Sequence, residues 1–200
     1  MTAEEYWGAF DRVVDQGDVL YMGTSNFPGW GLAKYQMQAL QRGSIGIVSE
    51  QTMFNLLCRY PELEVLPAAL DLGIGVIPYM PLAGGLLSGK AQQTPAGSRT
   101  REVEAEYGFG LSQNQQLDEF AKLCQELGEP GHVVAIAWVL SHPAVSSAIV
   151  GVRTLQHLEG LDRAAELVLD DDSLKRLDEI FDINRGRPLR PGPAPEAYAW

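Results

Sequence analysis

Apolar and polar positions along this chain follow two alternating periods. Between residues 2 and 16 the apolar side chains of Tyr6, Phe10, Val13 and Val14 recur at helical spacing, and Thr2 with Glu5 supplies the two polar partners of a capping box, so the chain is expected to open with a helix. Gly17 and Asp18 break that period. Residues 19–23, VLYMG, then read as a short buried strand ending in the turn of Thr24, Ser25 and Asn26. The order repeats, with a helix over 30–41 stopped at Arg42 and Gly43 and a second strand over 45–49. Pro61 fits the first turn before a helix over 62–72, and residues 73–79, GIGVIPY, give a third strand. Helix alternating with strand through short connections predicts a parallel sheet covered by helices.

From about residue 80 to 114 glycines and prolines interrupt every period, and a loop of that length in a compact domain is usually functional or disordered. Helices resume over 115–127 and 132–140. The run VVAIAWVL at 133–140 fits strand or helix by periodicity, and its alanines and flanking length favour a buried helix. A fourth strand is expected over 145–150, then helices over 154–166 and 173–181, the last capped from Asp170, Asp171 and Asp172. Residues 1–186 therefore read as one domain, followed by a proline-rich tail over 187–200 with no regular pattern.

Charge narrows the classes of partner. A net charge of -11 argues against non-specific nucleic-acid or anionic-membrane binding, because the summed field repels both. Cys58 and Cys124 have no metal-like spacing, and no apolar run approaches the roughly 20 residues of a membrane helix. The amphipathic, acidic start lacks the basic and apolar blocks of a secretory signal, so a reducing, cytoplasmic setting is the expectation.

Several segments, in order along the chain, carry a family resemblance. They are YMGTSNFPGW at 21–30, Glu50 and Gln51 followed by FNLL at 54–57, EVLP at 64–67, GIGVIPYMPLAGGLLSGK at 73–90, AIAW at 135–138, IVGVRT at 149–154 and PEAYAW at 195–200. Together they resemble the aldo-keto reductase family, strands five to eight of its (β/α)8 TIM barrel. The resemblance implies an α/β half-barrel of four parallel strands with covering helices, beginning after the family's fourth strand. Four such strands cannot close around a packed interior. A homo-oligomeric copy or a complementing chain is therefore expected to cover the open edges.

The resemblance also implies roles for individual residues. Ser25 and Asn26 match the pair that hydrogen-bonds the nicotinamide carboxamide of NADP, and Gln51 matches the glutamine that grips the same group; a turn and a surface amide explain them as well. Tyr79 matches the aromatic that stacks under the nicotinamide ring, with a core aromatic as the alternative. Pro81, Leu82, Gly84, Gly85 and Lys90 match the loop over the pyrophosphate, where glycine admits close backbone approach and lysine supplies charge. Gly151 and Arg153 match the end of the last strand and the basic position at the 2′-phosphate. An arginine at a helix N-terminus opposes the dipole, which favours a bound anion there. His157 falls near the same phosphate, or is an exposed helix histidine.

The pattern departs from the family in three places. The tyrosine, lysine, aspartate and histidine that manage the proton in carbonyl reduction belong to the first four strands, and none of the tyrosines or histidines here matches them. Met80 stands where a serine usually approaches the pyrophosphate, and Gly160 with Leu161 where a Glu-Asn pair holds the adenine. The expected function is NADP(H)-linked reduction of a carbonyl or aldehyde substrate, completed by groups outside these residues. The alternatives are an inactive half-barrel that binds a nucleotide or partner or acts as a dimeric scaffold, and a fold repurposed for non-redox chemistry. For the latter Glu102, Glu104 and Glu106 offer only a solvated acidic loop.

Overall fold

The computed structural model describes residues 2–89, 114–152 and 154–183. Lys90, Glu102, Glu104, Glu106, Arg153 and the tail at 187–200 lie outside the described residues. Helix α1 (Ala3–Asp15) is closed by the expected box: Glu5 N–H donates to Thr2 Oγ1 at 3.2 Å, and Thr2 N–H donates to Glu5 Oε2 at 2.7 Å. Its buried Trp7 donates Nε1–H to the Tyr35 carbonyl at 3.1 Å, and Tyr6 meets Tyr35 edge-on, which fixes α1 against α2 (Gly29–Gln41).

Strands β1 (Met22–Ser25), β2 (Ile47–Gln51) and β3 (Gly75–Val76) form one parallel sheet in the order β1-β2-β3. Both β1 and β2 sit two or three residues later than periodicity places them. Leu20, Tyr21 and Ile45 are exposed, so the apolar run in the sequence is not the paired run. Gln36 fixes the entry to β2 by donating Nε2–H to the Ile45 carbonyl at 3.0 Å and accepting the Ile47 N–H at 2.7 Å.

A fourth full strand is not formed. In its place Val145 and Ile149 make isolated parallel bridges with Val76 and Tyr79. Val76 donates to the Ala144 carbonyl and Ser146 to the Val76 carbonyl, both at 2.9 Å, and Ile149 donates to the Pro78 carbonyl at 2.8 Å. Alternate N–H groups along this segment point to opposite neighbours, and Pro78 occupies a position facing 145–149. Having no N–H, it deletes a rung there.

The expected helix over 62–72 is split into a 3-10 turn, Tyr60–Leu63, with Pro61 in its first positions, and α3 (Val65–Leu72). Further on come the 3-10 segment Ala83–Ser88, α4 (Asn114–Leu127) and α5 (Gly131–Ser141). The run at 133–140 is helix, and nearly all of it is buried. The expected helix over 154–166 is divided at Gly160 into a 3-10 turn, Leu155–Leu158, and α6 (Leu161–Glu166). Gly160 has φ +80, and a Cβ there would lie 3.0 Å from His132 Nε2, so a larger residue would be strained at this turn. Helix α7 (Asp171–Ile180) starts at Asp170, whose carboxylate accepts the Ser173 N–H at 2.8 Å.

One core cluster takes side chains from all three strands and from α1 to α5 and α7, including Trp7, Leu32, Phe54, Leu66, Phe120 and Leu177. Burial of each such side chain contributes about 1.5–3 kcal/mol. Among the described residues no helix is long and apolar enough to cross a membrane, and no group of His, Cys, Asp and Glu could hold a metal ion.

Candidate functional site

Parallel strands deliver their C-terminal ends to one edge of the sheet, and most of the residues singled out by sequence meet there. Ser25 ends β1 and lies in register with Gln51, which ends β2. Both side chains are exposed, and neither hydrogen-bonds another described residue. Tyr79 follows β3 and bridges Met53 on one side and Ile149 on the other. Its hydroxyl donates to Asn26 Oδ1 at 3.1 Å, which joins the third strand segment to the loop after β1. With Oδ1 taken, the Asn26 amide nitrogen remains to donate elsewhere. Gly151 lies two residues past Ile149 and is exposed at the same edge.

The backbone here departs from ordinary geometry. Among the described residues only Asn26 (φ 57), Met80 (φ 56) and Ala83 (φ 47) have positive φ without being glycine, and all three belong to the strand-end loops. Such conformations cost of order 1–3 kcal/mol each and are kept by surrounding contacts. Asn26 donates its N–H to the Gln51 carbonyl at 2.9 Å. Met80 is held through its carbonyl, which accepts from Asn55 Nδ2 at 2.9 Å and from the Ala83 N–H at 2.9 Å. Asn55 is buried and also accepts the Leu57 N–H at 2.9 Å.

Pro81 is buried and Leu82 packs onto both hydrophobic clusters, so these side chains serve the core. Gly84 (φ 68) and Gly85 (φ 105) turn the chain inside the following 3-10 segment. His157 is exposed on the Leu155–Leu158 turn, beyond the group formed by Ser25, Asn26, Gln51 and Tyr79.

Two residues that hold this edge together carried no role in the sequence reading. One is Asn55. The other is Glu50, fully buried in β2, where the Thr24 hydroxyl donates to its Oε2 and the Phe27 N–H donates to its Oε1 at 3.0 Å. Burial pushes the Glu50 carboxyl up to about 7, against the opposing pull of those hydrogen bonds. The available signal was a charged residue directly after the predicted apolar strand, where burial allows only a partnered carboxyl.

The sequence of this chain is 46% identical over 198 residues to an uncharacterized oxidoreductase, YrpG, of Bacillus subtilis, covering 98% of this chain and 58% of the relative. It is 30% identical to versiconal hemiacetal acetate reductase of Aspergillus parasiticus, over 89% of this chain and 53% of that protein. A putative voltage-gated potassium channel subunit beta of Schizosaccharomyces pombe is 28% identical over 90% of this chain and 55% of its own length. The chain thus spans little more than half the length of these curated relatives. The profile of the aldo/keto reductase family matches residues 1–182, and with the parallel α/β architecture this places the chain in the aldo/keto reductase family, whose named relatives include oxidoreductases.

Proposed function

We propose that this chain supplies the nicotinamide platform of an NADP(H)-linked carbonyl reductase and corresponds to the later four βα units of the family's barrel. One observation carries the reading: Tyr79 and Asn26 are hydrogen-bonded at 3.1 Å at the strand ends where Ser25 and Gln51 stand in register. A carboxamide presents one acceptor oxygen and two donor hydrogens. The Ser25 hydroxyl, the Asn26 amide nitrogen and the Gln51 amide form a matching set of donors and acceptors. The half-buried Tyr79 ring beside them offers a flat face to a nicotinamide.

The remaining contacts follow the chain. A pyrophosphate at the loop of Pro81, Leu82 and Gly84 would meet backbone, because the first two side chains belong to the core. Lys90 would add charge there, and Gly151, Arg153 and His157 would meet the 2′-phosphate. When bound, the cofactor supplies the hydride. The chain's own part is to fix the plane and tilt of the ring. The proton donor for the carbonyl oxygen, and one wall of the substrate pocket, come from outside these residues. A complementing segment, whether of the same protein, a second copy or a separate chain, pairs with the free edge of β1.

Titrating the chain with NADPH and following cofactor emission tests this. Saturable binding is expected, weaker for NADH and weaker again in Tyr79→Ala. Equal binding of NADH and NADPH would remove the 2′-phosphate assignment. Unchanged emission at millimolar NADPH would overturn the platform itself.

A further inference from the structure

Glu50 is a buried ionisable group that the cofactor platform does not use directly. It lies in register with Thr24, on the face of β2 turned away from the exposed Ser25 and Gln51. Its two oxygens are divided between two pieces of backbone. Oε2 takes the Thr24 hydroxyl of β1, and Oε1 takes the Phe27 N–H of the loop that follows. Asn26 lies between those anchors, in the left-handed conformation, which asparagine tolerates better than most non-glycine residues and still adopts at a cost that local hydrogen bonds offset.

We propose that Glu50 is a positioning residue for the cofactor platform: by anchoring Thr24 and Phe27 it holds Asn26 in its left-handed turn, with its amide oxygen on the Tyr79 hydroxyl. The inference rests on reading the Asn26–Tyr79 edge as the carboxamide contact, and it adds a group that would touch no ligand.

The groups facing the carboxyl are few. They are the Thr24 hydroxyl from β1, the Asn26 and Phe27 N–H groups from the loop, and the Tyr6 phenol from α1, itself pushed up by burial with Tyr35 and Glu50 as neighbouring charges. Phe27 and Tyr35 pack edge-on at 5.4 Å, so the loop is also held apolarly from α2. Packing of Phe27 alone fixes where the loop lies. The carboxyl fixes which way the peptide at Phe27 points, and through it the ψ of Asn26, while the Asn26 N–H on the Gln51 carbonyl holds the peptide on the other side.

Glutamine preserves this arrangement, since its amide accepts from Phe27 N–H through oxygen and can take the Thr24 hydroxyl as acceptor on its amide hydrogen. Alanine removes both anchors. The test therefore compares the ligand-free chain with its Glu50→Gln and Glu50→Ala variants by NMR. It reads Phe27 amide exchange, the Asn26 side-chain amide signals and the ring carbon bearing the Tyr79 hydroxyl. In Glu50→Ala the Phe27 amide should exchange about tenfold faster or more, and the Asn26 and Tyr79 signals should move together. In Glu50→Gln they should stay near their wild-type positions. Across pH the wild-type signals of Phe27, Asn26 and Tyr79 should titrate in step, and in Glu50→Gln that titration should vanish.

An Asn26–Tyr79 signature unchanged in folded Glu50→Ala overturns the proposal. If Glu50→Ala does not fold, the pH series decides: a Tyr79 signal that does not titrate with Phe27 in the wild type, or titrates equally in Glu50→Gln, overturns it as well. A parallel NADPH titration should show about tenfold weaker binding in Glu50→Ala and rescue in Glu50→Gln. NADPH that fails to bind even the wild type counts against the cofactor reading, while the ligand-free spectra still decide the role of Glu50.

Discussion

The guanidinium carbon of Arg59 lies 5.1 Å from the centroid of the Trp138 ring. The same group reaches Glu62 Oε2 and Asp178 Oδ1, each at 2.8 Å, and donates to the Phe181 carbonyl at 3.4 Å. One side chain thus joins the segment after β2 to α5, to α7 and to Phe181 just beyond it, 122 residues away in sequence. The planar fork suits this task, because it stacks on an indole and still points donors at two carboxylates.

Replacing Arg59 should therefore cost more than an exposed ion pair would. The Arg59 side chain is 12% exposed and that of Glu62 22%, so removal strands a poorly solvated carboxylate. Arg59→Ala should lower the unfolding free energy by about 2–4 kcal/mol, read from the urea midpoint at unchanged slope. Arg59→Lys should recover less than half of that, since an ammonium cannot stack and bridge at once. A lysine variant as stable as the wild type would show that charge alone holds the contact.

Glu50 sets a pH dependence whose sign follows from the direction of its shift. The carboxyl is raised from 4.5 to about 7 in the folded chain, so the folded state holds its proton more tightly than the unfolded state. Stability from this group is intact below pH 4.5 and is lost as pH rises through about 7. The change amounts to about 3 kcal/mol. Unfolding measured from pH 5 to pH 8 should show this decline, and Glu50→Gln should flatten it. A decline of equal size in the variant would assign it to other groups.

Much of this arrangement was legible in the sequence where local rules act alone. The Thr2–Glu5 box, the Asp170 cap and the buried helix at 133–140 need only short-range chemistry and periodicity. The positions of β1 and β2 were displaced because an apolar run marks burial, not pairing, and Leu20, Tyr21 and Ile45 are left exposed. The lost fourth strand was written in Pro78, but only once the sheet shows which way its nitrogen faces. Ser25, Asn26, Gln51 and Tyr79 were singled out through resemblance, and the fold brings them to one edge of the sheet. Glu50 and Asn55 were passed over because the Phe27 N–H and the Met80 carbonyl they hold are backbone groups that no side-chain pattern announces, and because Thr24 meets Glu50 only across paired strands.

The turn into β2 offers a steric test. Gly46 has φ +82, and a Cβ there would lie 2.4 Å from Gln36 Oε1, the atom that accepts the Ile47 N–H. Gly46→Ala must therefore strain the backbone and displace Gln36 together. A loss of about 2–4 kcal/mol is expected in chemical denaturation. Gly43→Ala, at φ +75 with nothing within 4 Å, suffers the backbone penalty alone and should lose less than half as much. Equal losses would mean that the Gln36 clash relaxes without cost.

Asn55 joins stability to the shape of the candidate site. Its amide nitrogen holds the Met80 carbonyl and its oxygen takes the Leu57 N–H, both at 2.9 Å, from a fully buried position. Asn55→Ala removes the side-chain partner of the Leu57 N–H and leaves the Met80 carbonyl only the Ala83 N–H, and the loss should be about 2–4 kcal/mol. Asn55→Asp separates the two bonds. A carboxylate still accepts from Leu57 but repels the Met80 carbonyl, so the penalty should concentrate on the Tyr79–Met80 turn. Faster amide exchange at Ala83, whose N–H bonds that same carbonyl, with Leu57 still protected, is the expected pattern. Uniform loss of protection at both would mean that Asn55 supports the core as a whole and not the positive φ at Met80.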